Sequence, residues 1–460
     1  MDNDVKSKET EKQDIKFKQL TESNVETLVI KLGIPTIISM LTTSFYNMAD
    51  TFFVSKINTQ STAAVGIVFS MMAIIQAIGF FFGHGSGNYI SLKLGAKETE
   101  EASKMAATGF LSAMIVGFII LVCGIVFIKP LAYMLGSTET ILPYSISYMK
   151  YILIGAPYMT ASLVLNNQLR LQGNAVFAMI GLITGAILNI ILDPILIFHF
   201  DMGVKGAAIG TIISQFVGFC ILLVGTNVWG TLPINIRDFS PSLQKYKAIV
   251  IGGFPSLCRQ SISSFSTAFL NTASAPFGDA AIAAMSIVNR VAMFANSAII
   301  GFGQGFQPVC GFNYGAKKYS RVIDAFYFCV KISTFVLLIL AIIIYIYSSQ
   351  IVHLFNDKDI TLLDVANRAL KYQALSLPLW GLITLSSMML QTTRKTIRAS
   401  ILAIAKQGIF LVPIIYIFPK FLGITGIEIA QPFADLLTFI LAVPLGYSMI
   451  KEMKLEINKV

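Results

Sequence analysis

The chain has 460 residues, of which 55% are hydrophobic and 13% charged, and its mean hydropathy is +0.72. Soluble domains carry about 25% charged residues, so this composition excludes a water-soluble globule and makes lipid the solvent of the fold. The net charge of +10 rests on basic residues scattered between apolar stretches, which excludes a nucleic-acid-binding surface. Cys123, Cys220, Cys258, Cys310 and Cys329 have no CxxC spacing, which excludes a thiolate metal site or a disulfide framework.

Residues 1–27 are polar, with Lys6, Lys8, Lys12, Lys16 and Lys18 among acids and no short apolar core of a cleavable signal peptide, and they read as a cytoplasmic leader. Apolar stretches of about 20 residues or more follow. They lie near 28–55, 61–92, 105–128, 143–165, 176–198, 206–228, 247–276, 281–313, 322–348, 363–390, 398–419 and 426–449, which predicts twelve membrane spans. An even number puts both termini on one side. The loops of that side carry Lys93, Lys97, Lys104, Arg170, Arg237, Lys245, Lys247, Lys317, Lys318, Arg321, Arg394, Lys395, Arg398, Lys451, Lys454 and Lys459. The opposite loops hold little beyond Lys56, Lys129, Lys205, Lys358 and Lys420, so the termini are expected in the cytoplasm. The polar stretch 229–246 is the expected linker between lobes at 28–228 and 247–449, and 450–460 is a cytoplasmic tail.

The two lobes echo one another at an offset of 220 residues: Gly33-Ile34-Pro35-Thr36 returns as Gly253-Phe254-Pro255-Ser256, Gly83-His84-Gly85 as Gly303-Gln304-Gly305, and Gly95-Ala96-Lys97 as Gly315-Ala316-Lys317. Six spans per lobe make the repeat parallel, about an axis along the membrane normal. The fold class expected is an all-α integral membrane protein, twelve transmembrane helices in two six-helix lobes, of the kind secondary transporters use. Gly79, Gly83 and Gly87, at four-residue spacing, predict close helix packing within a lobe.

Ionisable residues in hydrocarbon are costly, and two acids in the first lobe stand out for that reason. Asp50 near the end of the first span and Asp193 near the end of the fifth lie at matching depth, roughly 10 Å below the outer surface. Asn189 shares a helix face with Asp193, and Thr211 enters at the same level on the sixth span. Two carboxylates in a dry pocket cannot both stay ionised cheaply, so one is expected to hold a proton. The same oxygens with Asn189 and Thr211 suit a sodium ion. Adding 220 gives Leu270, Ile409, Pro413 and Gln431, so the second lobe lacks the set. It has instead Arg259, Arg290, Lys331, Lys371 and Lys406, with Asp435 as its main intramembrane acid; a Lys406–Asp435 pair fits the depths, while snorkelling is the commoner fate of lone bases. His84, His199 and His353 are far apart and no catalytic or cofactor motif is present, so no enzyme and no cofactor is expected. His84 reads as a hydrogen-bonded packing residue. Tyr46, Asn47, Met48, Met72, Tyr158 and Met159 are candidate lining for a central substrate cavity, with π faces and thioethers for flat cations. Pro194, directly after Asp193, is a candidate hinge.

The segments Tyr46-Asn47-Met48-Ala49-Asp50-Thr51-Phe52-Phe53-Val54, Leu192-Asp193-Pro194-Ile195-Leu196-Ile197-Phe198 and Gly203-Val204-Lys205-Gly206-Ala207-Ala208, with Gly-Ala-Lys after the second and eighth spans, resemble the multidrug and toxic compound extrusion transporters of the MepA-like and DinF-like bacterial kind. The resemblance implies a V-shaped pair of bundles, in the cytoplasmic membrane and acting as a monomer, that exports organic cations in exchange for protons or sodium. It implies a cation site at Asp50, Asn189, Asp193 and Thr211. Another branch of that family uses acids in the seventh and tenth spans; here the seventh offers Arg259 and Gln260 and the tenth only Asp364 at its start. A lipid-linked saccharide flippase shares the two-lobed plan, but its pyrophosphate substrate asks for a broad basic cavity; an intramembrane enzyme or a channel is the remaining alternative.

Overall fold

A computed structural model describes the backbone of residues 2–355 and 359–459, with side chains from residue 11 onward; Lys358 lies outside the described residues. All described secondary structure is helical. Helix α1 (Asp2–Glu22) lies at the end of the molecule that carries both termini. The first lobe follows: α2 (Val25–Ser55), α3 (Thr59–Gly95), α4 (Thr99–Val126), the short α5 (Ile128–Met134), α6 (Leu142–Leu171), α7 (Ala175–Pro194) and α8 (Gly203–Val228). The second lobe repeats the order: α9 (Leu243–Ser274), α10 (Asp279–Gly315), α11 (Tyr319–Ile346), the short α12 (Ser348–His353), α13 (Ile360–Ser376) continuing through a 3-10 turn into α14 (Trp380–Thr392), α15 (Thr396–Ile404) continuing through a π-turn into α16 (Leu411–Leu422), the short α17 (Ile424–Glu428) and α18 (Ala430–Ile457).

Counting α13 with α14 and α15 with α16 gives the twelve expected transmembrane helices. Ten of them are long and apolar enough to cross a bilayer by composition alone. The other two, α6 and α9, are 30 and 32 residues long but carry polar groups that they spend on packing between neighbours. Each span overlaps its expected position, with ends that differ by at most eight residues. The leader is not loose chain: α1 is helical to Glu22 and Asn24 caps the next helix by accepting from the Thr27 amide. The tail is helical too, since α18 runs to Ile457.

A single local motif explains much of the repeat. After α3, α6, α10 and α14 the chain turns through one residue of positive φ, namely Lys97 (61°), Gly173 (80°), Lys317 (57°) and Arg394 (63°). The following amide then bonds back five residues: Glu98 to Lys93, Asn174 to Leu169, Lys318 to Asn313 and Lys395 to Leu390. These are Schellman closures, and they reverse the chain four times at the terminal face. The Gly-Ala-Lys echo marks two of them.

Two seams behave differently. Gly79, Gly83 and Gly87 pack α3 on Leu163, Asn167 and Leu171 of α6, within the first lobe as expected. Gly85 instead faces the Ile249 carbonyl of α9, Gly301 the Ile37 backbone of α2, and Gly305 the Gly33 backbone. The lobes therefore touch backbone to backbone over their terminal halves, where any Cβ would collide. Thr36 donates to the Gly301 carbonyl at 2.6 Å, and Ser44 and Ser297 hydroxyls meet at 2.8 Å. Among the described residues, the Phe45–Phe294 ring contact at 5.2 Å is the hydrogen bond or ring contact between lobes nearest the far face. Beyond it, among the described residues, no hydrogen bond or ring contact joins the two lobes.

One base was misplaced by the sequence reading. Arg170 is not a loop residue: it is 1% exposed, and donates to Asn167 Oδ1 and to His84, whose other ring nitrogen bonds the Phe80 carbonyl. His84 is thus the satisfied packing residue expected.

Candidate cation site

Asp193 and Asn189 stand one turn apart on α7, and the Asn189 amide donates to Asp193 Oδ1 at 3.0 Å and reaches Thr211 Oγ1 on α8 at 3.5 Å. All three side chains are at most 1% exposed. Asp50 comes from α2, and its carboxyl group lies close enough to that of Asp193 for the two to interact. The four residues singled out from depth and spacing are therefore one cluster. Their environment adds groups that the sequence did not single out: the Tyr148 hydroxyl of α6 borders Thr211, the Tyr46 hydroxyl borders Gln215 of α8, and Gly210 leaves room for Asp193 Oδ1, which stands 2.7 Å from where a Cβ would be.

The buried oxygens Asp50 Oδ1, Asp193 Oδ2 and Asn189 Oδ1 have no donor within the protein. Lone oxygen acceptors in a dry site are expensive. A proton between the carboxyls relieves the two acid oxygens, whereas a hard ion held by oxygens relieves all three. Among the described residues no three His, Cys, Asp or Glu side chains come together, so the donor set is two carboxyls, an amide and a hydroxyl.

Beside this cluster lies a cavity of about 90 Å³ bordered by Tyr46, Gln76, Phe80, Met159, Ser162 and Gln215. It sits inside the first lobe and is distinct from the cavity expected between the lobes. Tyr46 and Met159 line it; Asn47, Met48, Met72 and Tyr158 do not. Met72 is packed in the apolar core of the far half of the lobe. Tyr158 spends its hydroxyl on the Ile212 carbonyl at 2.9 Å and its ring on Phe216. Pro194 ends α7, and the chain continues as a π-turn over Ile195–His199, so only Pro194 separates Asp193 from a wide, non-α segment. In the second lobe Lys406 lies in a π-turn of the eleventh span, Ala405–Ile409, with Nζ 3.8 Å from Asp435 Oδ1. The pair forms instead of the base snorkelling outward.

The MatE family model matches this chain twice, over residues 35–195 and 255–417, once in each lobe. The chain belongs to the MatE family. MatE relatives of known name include the "Multidrug export protein MepA" of Staphylococcus haemolyticus (strain JCSC1435), 28% identical over 430 residues, which are 93% of this chain and 94% of that protein. The MepA of Staphylococcus aureus (strain MRSA252) is 28% identical over 88% of this chain and 90% of its own length. Among solved MatE structures, one described as the outward-facing conformation of a multidrug resistance MATE family transporter of the MOP superfamily superposes with a TM-score of 0.90 at 28% identity, covering 95% of this chain and 98% of that one. A crystal structure of MATE in complex with MaL6 superposes with a TM-score of 0.91 at 27% identity, covering 95% and 99%.

Proposed function

We propose that this chain is a secondary active multidrug efflux transporter, which exports organic, mostly cationic compounds in exchange for protons by alternating access. The observation that carries the reading is the neighbouring carboxyls of buried Asp193 and half-buried Asp50 in one lobe, where Asp50 Oδ1, Asp193 Oδ2 and Asn189 Oδ1 lack a donor. The export names of its MepA relatives and their coverage of both lobes support it. Sodium is the second reading for the coupling ion, favoured by the Asn189 and Thr211 oxygens beside the acids. The basic residues gathered at the terminal face support a cytoplasmic location for that face in a bacterial cell, with the less tightly joined end of the lobes facing outward. We take the lobes as 28–228 and 247–449, joined by 229–246.

In this mechanism the acids exchange their cation with the outside at the outward end of the lobes, and Tyr46 carries the change to the drug cavity, since it borders both. A proton added between the carboxyls removes negative charge beside a cavity that holds a cationic drug, so the two cargoes disfavour one another and export follows proton entry. The test is dye efflux from energised vesicles with pH and sodium gradients collapsed separately. Asp50→Asn and Asp193→Asn should each lower gradient-driven efflux of a quaternary ammonium dye at least about 100-fold while the protein stays folded and inserted. Wild-type rates in both variants would overturn the reading.

A further inference from the structure

The turns that end α3 and α10 meet where the lobes close. Gly95 of α3 faces the Phe312 carbonyl of α10, and Gly315 of α10 faces the Leu92 carbonyl of α3, so the two Gly-Ala-Lys corners of the repeat abut one another across the seam. Helix α1 lies across that joint. Its Phe17 ring receives Lys97 Nζ of the first lobe at 4.6 Å from the ring centre and Lys318 Nζ of the second at 5.9 Å, so one ring serves a cation from each lobe. Leu20 joins them too. Its side chain packs in the first lobe, 2.9 Å from where a Cβ on Gly173 would stand, while its carbonyl accepts from Asn313 Nδ2 of the second lobe at 2.9 Å.

The grip has a cause in the helix itself. The last carbonyls of a helix have no intrahelical donor and carry its negative end, and those of α1 are met from the second lobe: Leu20 by Asn313, Thr21 by Lys318 and, just beyond the helix, Ser23 by Arg321. The first lobe holds the preceding turns. Lys12 donates to the Val228 carbonyl and Lys16 to the Gly173 carbonyl, each at 3.1 Å. Beneath these contacts a cavity of about 220 Å³ remains, bordered by Asp14, Phe17, Leu94, Lys97, Thr231 and Phe312, so α1 is fastened at separate points rather than packed along its length. Its solvent side, with Ile15 60% exposed and Lys18 exposed, touches neither lobe. An element held in this way opens more readily than the cores below it.

We propose that α1 is a state-selective latch: docked across both lobes it holds the terminal face closed, and it must leave one lobe before that face can open. The inference rests on the alternating-access reading and deepens it, by naming what sets the balance between the two states. A segment that binds both lobes at once binds only the conformer in which they are together, and so it weights that conformer by its own docking free energy. Lobes that part at the terminal face carry Gly173 away from Asn313, and Leu20 cannot follow both. Only Ser23 and Asn24 join α1 to α2, so the released helix stays within reach of its site and redocks as an intramolecular event.

The test is the distance between spin labels at position 100 on α4 and position 451 on α18, in a background without native cysteines, in nanodiscs with no gradient and no dye. The double variant Phe17→Ala/Leu20→Ala should raise the ratio of long to short distances at least about fivefold over wild type, the low end of ordinary coupling between sites. Phe17→Tyr, which keeps the ring beside both ammonium groups, and Ile15→Ala, on the exposed side of the same helix, should match wild type. Hydrogen exchange across α1 in the same samples reports whether the helix has come off, and melting curves report whether each variant is folded. Wild-type distances in the folded double variant overturn the proposal: with α1 still protected, these contacts are not what holds it, and with α1 exchanging freely, it holds nothing shut. A fivefold shift in Ile15→Ala overturns it as well, because any change in the helix would then do. Gradient-driven dye efflux by wild type, read in separate vesicles, decides the transport reading, and the distances do not depend on it.

Discussion

At the scale of single residues, the acid pair was legible because charge in hydrocarbon is rare enough to announce itself. Asp193 and Asn189 share a face by spacing, and depth brought Asp50 and Thr211 to them. Tyr148, Gln215 and Gly210 were not legible, since a neutral polar residue or a glycine inside a span carries no comparable penalty and many such residues only pack. Arg170 shows the opposite failure: a base near a helix end looks like a loop anchor until His84 and Asn167 are seen around it. Gly210 supports a direct test. A methyl group there would stand 2.7 Å from Asp193 Oδ1, and overpacking of this kind costs about 1–3 kcal/mol unless the neighbour moves. The carboxylate is the part that can move, so Gly210→Ala should lower gradient-driven dye efflux about tenfold while leaving dye binding unchanged. Efflux from vesicles and binding to the same purified variant measure the two; equal losses in both would show that the glycine serves packing alone.

At the scale of elements, hydropathy placed the twelve spans, but polarity misdescribed what precedes them. Helix α1 looks like a solvated leader because its lysines hide its few apolar residues. In the fold Leu20 is fully buried, Lys16 donates to the Gly173 carbonyl, and Asn313 and Lys318 of the second lobe donate to the Leu20 and Thr21 carbonyls. The helix thus straps both lobes at the terminal face. Burial, and then the nearby Lys31, push the Lys16 ammonium down from 10.5 to about 8. Between those values the undocked helix holds a proton that the docked helix has released, so docking strengthens as pH rises through about 8, by up to about 1.4 kcal/mol per pH unit. Hydrogen exchange across α1, corrected for intrinsic rates, should show protection growing from pH 8 to 9.5 in wild type and staying flat in Lys16→Met. The π-turn after Pro194 gives a second test. A proline removes one donor and the wide turn redistributes the others, so Pro194→Ala should let α7 continue as ordinary helix and fix Asp193 more rigidly. Drug affinity should then vary less with pH in Pro194→Ala than in wild type, with its value at a single pH changed less than that slope; identical slopes would leave the proline as packing.

At the scale of the whole molecule, the internal repeat told that two lobes exist and that they enter from one face, yet not how they meet. Both glycine-rich helices read alike in sequence, because a small residue facing its own lobe is indistinguishable from one facing the other. The structure divides them. Gly79, Gly83 and Gly87 hold α3 to α6, whereas Gly85, Gly301 and Gly305 are the seam along which the lobes close. The far half of the first lobe, with Met71, Tyr148 and Ile152, packs as an apolar cluster separate from the core that spans the rest, so closing one end need not disturb the other. If the lobes rock, the seam is what must part, and a side chain there should part it permanently. A valine at Gly305 would overlap the Gly33 backbone, which cannot rotate away, whereas a valine at Gly66 meets nothing within 4 Å. Overpacking by about 1–3 kcal/mol corresponds to roughly a 5- to 150-fold shift between two states. Gly305→Val should therefore convert the protein from closed to open at the terminal face. Spin labels at positions 100 and 451 on that face and at 56 and 420 on the other, in a background without native cysteines, would read it. The first distance should lengthen and the second shorten in Gly305→Val, with Gly66→Val like wild type. Unchanged distances in a folded Gly305→Val protein would mean that the backbone seam is incidental and that the lobes separate elsewhere.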